Sequence, residues 1–375
     1  MKVTVSQQQL AHGLGLVSRA VSPRSTLPVL ANILVTTDEG RLRLSATNLE
    51  LGISSWIGAQ IAEDGAITVP SRTFSDLVNA LPNDNVELTV NHKTQTLSVH
   101  CGASNTDIKG IDAQEFPPMP VPDLSEGVSL KMSDFKEMIQ QVAFAASNDD
   151  ARPVLQGVML TMENDTITMA ATDGFRISVR KAGLPEPISK KTAAIIPARA
   201  LNELARIAQD GNQMMTMIIQ PSRGQVLFHL KDAELISQLI EGNFPPYDVI
   251  IPKNHKTRST VTTSAFLKAC RQAEIIARDG NNVIRLNIVP GTTTPGQVEI
   301  SAQSEETGSS EIVVDANVEG QGLVIAFNVL FLREVLDIIK TPSVALETNA
   351  NNTPGLLKPV GDDNFQHVIM PMHLG

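Results

Sequence analysis

A chain of 375 residues is longer than one hydrophobic core ordinarily organises, so two or three domains are expected. Hydrophobic residues make up 42% and charged ones 19%, no apolar run approaches the roughly eighteen residues a membrane helix needs, and Met1-Lys2-Val3-Thr4-Val5-Ser6 lacks the core of a signal peptide, which points to a cytoplasmic protein with no membrane partner. The net charge of −10 and 3% aromatics exclude a basic nucleic-acid domain or a base-stacking platform, so any contact with DNA must be local.

The first predicted element is a helix: Ser6, a hydroxyl cap, precedes Leu10, Leu14, Val17 and Val21 at helical spacing. Leu42 to Asn48 alternates as a half-buried strand. Val69-Pro70-Ser71-Arg72 then opens a second amphipathic helix with Asp76 in its first turn and Leu77 on its apolar side. Strands over 86–90 and 96–100 follow, and Glu115-Phe116-Pro117-Pro118 begins a linker. The same order then recurs. Ser133 precedes Phe135, Ile139, Val142 and Ala146. The strand 166–170 runs into Ala171-Thr172-Asp173-Gly174-Phe175-Arg176, whose Asp-Gly pair marks a turn. Ile196-Pro197-Ala198-Arg199 opens a helix with Glu203, strands cover 215–219 and 226–230, and Asn243-Phe244-Pro245-Pro246 begins a second linker. A third copy has Thr263-Ser264 before Phe266, Cys270 and Ala273, strands over 298–302 and 312–318, Phe327-Asn328-Val329 before Glu334, and an end at Val368–Leu374. The fold class is therefore α+β, with three similar domains of two helices and antiparallel strands, bounded at 1–121, 122–252 and 253–375.

No constellation for catalysis, metal or cofactor emerges. Gly13-Leu14-Gly15 lacks the rest of a nucleotide loop, the His residues have no metal spacing, and Cys101 and Cys270 form neither CxxC nor a disulfide framework and are expected as reduced thiols. Asp149-Asp150 and Asp362-Asp363 read as solvated turns. A hydrolase using the Ala-Thr-Asp corners is the rival from the enzyme class, but the third corner, Ala302-Gln303-Ser304, has no acid. Over the six helix windows, ten bases outnumber seven acids, so the rest of the chain carries −13. Helices gathered on one surface would hold a polyanion weakly and without regard to sequence.

Thr26-Leu27-Pro28-Val29-Leu30, Ala171–Arg176, Gly242-Asn243-Phe244-Pro245-Pro246-Tyr247 and Val368–Leu374 together resemble the bacterial DNA polymerase III beta subunit, the sliding-clamp family, in register from Met1 to Leu374. The resemblance implies a non-enzymatic, cofactor-free clamp. Its three-domain chains form a head-to-tail homodimeric ring, helices lining a hole that holds double-stranded DNA. It implies DNA contacts at Arg24, Arg72, Arg152 and Arg199, and at Asp149, Pro153 and Val154, where the family is often polar or aromatic. It implies a groove for clamp-motif proteins, among them the polymerase catalytic subunit and the clamp loader. Leu155, Thr172, Gly174, Phe175, Arg176 and Ile177 match one part of its lining, and Pro245, Val249, Ile250, Asn328 and Phe331 another. Val368, Met370, Pro371, Met372 and Leu374 complete it. The family usually has His at Phe175 and Arg at His373. Thr106, Ile108, Ile275 and Ile276 match the ring interface, Thr106 being polar where the family is often aromatic. A scaffold that binds proteins without DNA is the alternative.

Overall fold

The computed structural model describes residues 1–22, 26–120, 123–208, 213–293 and 295–373. Arg24, Leu374 and the boundary at 121 lie outside these. Six α-helices occur among the described residues: α1 Gln7–Val17, α2 Ser71–Ala80, α3 Met132–Val142, α4 Ala198–Ile207, α5 Thr263–Ala277 and α6 Val329–Ile338. They fall two to each third of the chain, as the repeat requires. In each third a strand leads into the first helix, further strands lead into the second, and three strands close the unit. The leading strands, Lys2–Ser6, Val128–Lys131 and Thr257–Thr262, go beyond the pattern legible in the sequence, because runs so short carry little alternation.

Helix starts differ from expectation in two of the three first helices. Ser6 does cap α1, its hydroxyl accepting from Gln9 N at 3.3 Å. Ser133 lies inside the first turn of α3, and Thr263 Oγ1 donates to Thr341 O at 2.8 Å instead of capping α5. The acids of the second helices also sit deeper than expected. Asp76, Glu203 and Glu334 are the sixth residues of α2, α4 and α6, past the turn where the helix dipole acts. Each finds an arginine: Arg72 at 3.7 Å, Arg206 at 2.8 Å, and Arg176 for Glu334.

Among the described residues all strand pairing is antiparallel, in three sheets. Gln60–Glu63, Lys2–Ser6, Asn85–Asn91, Thr96–Cys101 and Ser104–Lys109 form a sheet of five in that order. In the sheet of eight, Val128–Lys131, Met214–Gln220, Gln225–His229 and Ala233–Gln238 continue into Leu51–Gly58, Arg41–Thr47, Asn32–Asp38 and Ala66–Pro70. The sheet of twelve runs from Thr192–Pro197 through Gly157–Glu163, Thr166–Thr172 and Arg176–Gly183 into Phe365–Ile369, Gly355–Pro359, Ser343–Thr348 and Thr257–Thr262. It goes on through Gly308–Gly320, Gly296–Ser304 and Val283–Val289 to Leu323–Asn328. Two joints of one kind result. Leu51–Ser55 pairs with Ala233–Ser237, and Arg176–Arg180 with Phe365–Ile369.

These joints explain the compact units. One comprises Met1–Ser133 with Glu203–Leu239, the other Asp134–Asn202 with Ile240–Gly375, so the middle third gives one sheet to each. In the second unit Phe266, Cys270 and Ala273 of α5 and Leu332, Val335 and Leu336 of α6 are buried in one cluster with Ile284, Leu286, Val298 and Ile300 of the strands. Burying such side chains, at about 1.5–3 kcal/mol each, is what makes the helical stripes decisive. The chain also covers its own sheet edges after each closing strand. Ile111 exchanges backbone bonds with Thr68, Ile240 N donates to Ile195 O at 2.9 Å, and Met372 N donates to Ala326 O at 2.8 Å.

Candidate functional site

The corner at Thr172 is built by side chains folding the backbone over. Thr172 Oγ1 donates to Arg176 O at 2.7 Å and accepts from Gly174 N at 3.0 Å, while Asp173 Oδ1 accepts from Phe175 N and Arg176 N at 2.9 and 3.1 Å. Gly174 has φ 95°, a conformation other residues adopt only under strain. The first corner uses the same bonds: Thr47 Oγ1 to Leu51 O at 3.1 Å, and Asn48 Oδ1 accepting from Glu50 N and Leu51 N. In the third, Ser304 Oγ accepts from Glu306 N and Thr307 N, both at 3.2 Å. A carboxylate, a carboxamide and a hydroxyl thus do one job, closing a turn. The hydrolase alternative loses its only carboxylate.

Arg176 is buried beneath this corner. Its Nε reaches Asp173 Oδ2 at 3.1 Å, its Nη2 donates to Phe144 O at 2.9 Å, its Nη1 pairs with Glu334, and its guanidinium lies 4.5 Å from the Phe331 ring centroid. All three guanidinium nitrogens make a hydrogen bond inside the protein. Beside it His367 is fully buried, stacked on Phe144 at 5.4 Å, with Nδ1 and Ser178 Oγ 2.6 Å apart. Its Nε2 has no partner among the described residues, so a proton on Nδ1, donated to Ser178, leaves only a lone pair unmatched. Burial first, and the nearby Arg176 charge second, hold its pKa well below 6.5. A neutral imidazole in the fold and a charged one in the unfolded chain make stability complete above about pH 6.5 and progressively lost as the pH falls below it. Denaturation at pH 7.5 and 5.5 should show the wild type losing up to about 1.4 kcal/mol per pH unit more than His367→Phe; equal losses would count against His367 as the source.

Around this frame lies an apolar surface. Phe175 is 58% exposed and Val249 74%, with Ile250 and Met370 also exposed. Phe244, Tyr247 and Ile251 pack inward on Ala170, Ile177, Val179, Leu356 and Val368, which turns Val249 and Ile250 outward. Met370 N donates to Phe175 O at 2.8 Å, tying the C-terminal strand to the corner. The other residues expected to line a groove divide. Leu155, Pro245, Pro371 and Met372 are half-buried. Thr172, Arg176, Ile177 and Val368 are buried and form its foundation rather than its surface. Asn328 caps α6, its Oδ1 accepting from Leu330 N at 2.9 Å, and Phe331 lies under Arg176.

The residues expected to meet DNA also divide. Arg72 stands 94% exposed on α2, and Arg199 is exposed on α4. Arg152, by contrast, is bound to Asp149 at 2.9 Å and to Asp173 O at 3.1 Å. Pro153 is exposed and Val154 half-buried in the 3-10 turn Pro153–Gln156. Of the ten helical bases, Arg19, Arg72, Arg206, Arg271, Arg278, Arg333 and Lys340 pair with helical acids, so the positive excess on these elements is muted locally.

Two strand edges complete the picture. Ser104–Lys109 ends its sheet, and residues 308–315 of Gly308–Gly320 have a neighbour on one side only among the described residues. Ile275 on α5 is 62% exposed, whereas Ile276 packs partly into the core. Ile108 is only 4% exposed and belongs to its own core, so it cannot offer the apolar contact expected of it; Thr106 beside it is half-exposed. Val313, exposed on the open edge, was invisible to alternation because Ile312, Val313 and Val314 are consecutive and one must face out. Among the described residues no three His, Cys, Asp or Glu side chains could hold a metal ion, and no helix is long and apolar enough to cross a membrane. Cys101 and Cys270 are buried free thiols, the latter pushed up to about 12 by burial and by Glu274.

Three family descriptions match in succession: DNA polymerase III beta subunit, N-terminal domain over 1–120, central domain over 129–246, and C-terminal domain over 248–373. A beta sliding clamp of Synechococcus elongatus is 34% identical over 381 residues, covering 100% of both chains. The chain belongs to the DNA polymerase III beta-subunit family, the beta sliding clamps. A Staphylococcus aureus beta sliding clamp is 32% identical over 99% of each chain. The crystal structure of a Bacillus subtilis sliding clamp superposes with a TM-score of 0.94 at 28% identity, covering 100% of each. The repeated α+β architecture is thus the three-domain DNA clamp fold, and the clamp's role is a sliding clamp's, without catalysis of its own.

Proposed function

We propose that two copies of this clamp close head to tail around duplex DNA and hold the replicative polymerase on it. The three domains are 1–121, 122–252 and 253–375, working in the cytoplasm. One observation carries the ring. Within the chain, a strand that follows the first helix of one third pairs twice with the closing strand of the next third, at Leu51–Gly58 with Ala233–Gln238 and at Arg176–Gly183 with Phe365–Ile369. The third such pairing, between residues 308–315 of Gly308–Gly320 and the free side of Ser104–Lys109, is not made within the chain among the described residues. A second copy supplies it, and repeating that contact closes the ring. Ile275 and Val313 flank the join.

Arg72, whose pairing with Asp76 is long and solvent-exposed, and Arg199 approach the phosphates from the helices, with Arg24 as a further contact, while the other paired bases make the lining slippery rather than adhesive. Encirclement, not grip, retains the DNA. The apolar surface around Phe175 receives clamp-motif segments of the polymerase catalytic subunit, the clamp loader and other partners. Loaded clamp should stay on nicked circular duplex and slip from the same duplex once it is cut. Arg72→Ala with Arg199→Ala should lower loading and reduce the slope of log affinity against log salt by about 0.9 per lost phosphate contact. Equal retention on circle and line would leave the DNA-free scaffold as the better account.

A further inference from the structure

The groove proposed above draws its lining from segments far apart in sequence. Leu155 belongs to the turn Pro153–Gln156, and Phe175 to the corner at Asp173. The first segment is knotted internally: Asp149 N donates to Ser147 Oγ at 3.1 Å, Arg152 N to Asp149 O at 3.1 Å, Leu155 N to Arg152 O at 3.0 Å and Ser147 N to Leu155 O at 2.8 Å. From this knot the Arg152 side chain reaches across to the corner. Arg152 Nε is held by Asp149 Oδ2 at 2.9 Å while Nη1 donates to Asp173 O at 3.1 Å. The guanidinium also lies against Gly174, where a Cβ would stand 3.3 Å from Nη1. Asp173 is in turn the residue whose carboxylate holds the backbone of Phe175 and Arg176.

We propose that Asp149 and Arg152 are positioning residues of the partner groove, a brace that sets the distance between the Leu155 wall and the Phe175 corner, rather than contacts to DNA. The assignment rests on the groove described above. A planar fork is needed for it. Nε must stay on the carboxylate while Nη1 meets a carbonyl, which a lysine, with one nitrogen, cannot do. Without the brace the corner keeps its own turn bonds but is free to shift relative to Leu155, so a peptide that spans both walls pays for ordering them.

The test uses the full-length dimer, a fluorescein-labelled clamp-motif peptide and nicked circular duplex. Arg152→Gln and Asp149→Asn should each weaken the peptide on the order of tenfold, as loss of a charge-assisted hydrogen bond does. The double variant should be no worse than the poorer single, because one brace is broken once. Arg152→Lys should not restore affinity. Retention on the circle, which also reports correct folding, should match wild type with an unchanged salt slope. Reduced retention with normal peptide affinity would overturn the proposal and return Arg152 to the DNA surface, and additive losses would overturn the brace. Wild type that fails to bind the peptide would remove the groove itself, a result distinct from both.

Discussion

Arg176→Ala is expected to destabilise the protein by about 3 kcal/mol, at the lower end of the cost of breaking a buried ion pair by removing one partner. The side chain leaves behind Asp173, a backbone carbonyl at Phe144 and two aromatic faces, Phe144 and Phe331, that it had covered. Glu334 recovers water more readily, since 37% of its side chain is exposed, which is why the higher end of the range is not expected. Arg176→Lys should recover little of the loss, because one ammonium cannot serve a carboxylate, a carbonyl and a second acid in three directions. Urea denaturation with a shared m-value would measure this; a change under about 1 kcal/mol would show that the network is not the support it resembles. The same variant should loosen the groove, since corner, α6 and the segment at Phe144 all meet on this one guanidinium.

Ile275→Asp should convert dimeric clamp to monomer in sedimentation, and Val313→Asp should do the same from the strand side. Each places a charge on an apolar side chain that the isolated chain leaves exposed, at 62% and 53% respectively. Monomer stability should therefore move by less than about 0.5 kcal/mol, while the dimer loses on the order of 2–4 kcal/mol, a thirtyfold to thousandfold rise in Kd. Ile276 is a poor target, because it packs partly into its own core and its loss would confuse folding with assembly. Retention on circular DNA should fall with the dimer. Dimers that persist in both variants would place the closing contact elsewhere.

What failed to show in the sequence failed for identifiable reasons. Ile108 and Ile275 are the same residue type and both matched the ring interface by resemblance, yet one is core and the other exposed. The hydroxyls at Ser133 and Thr263 match a cap by composition, but the helices start at Met132 and at Thr263 itself, which puts each hydroxyl inside its helix. Arg152 and Arg72 look alike in a charge count, and only one is tied to a corner 21 residues away.

The amino-acid sequence by itself determined the six helices, the alternating strands and the turn-closing corners, because each depends on residues within a few positions of one another, and the threefold repeat, because those local patterns recur in the same order. Tertiary structure alone decided which sheets fuse, which edges remain open, and which arginines are spent internally. Those outcomes depend on partners such as Arg176 and Glu334, 158 residues apart, whose meeting is dictated by sheet pairing and burial and leaves no periodic trace in the chain.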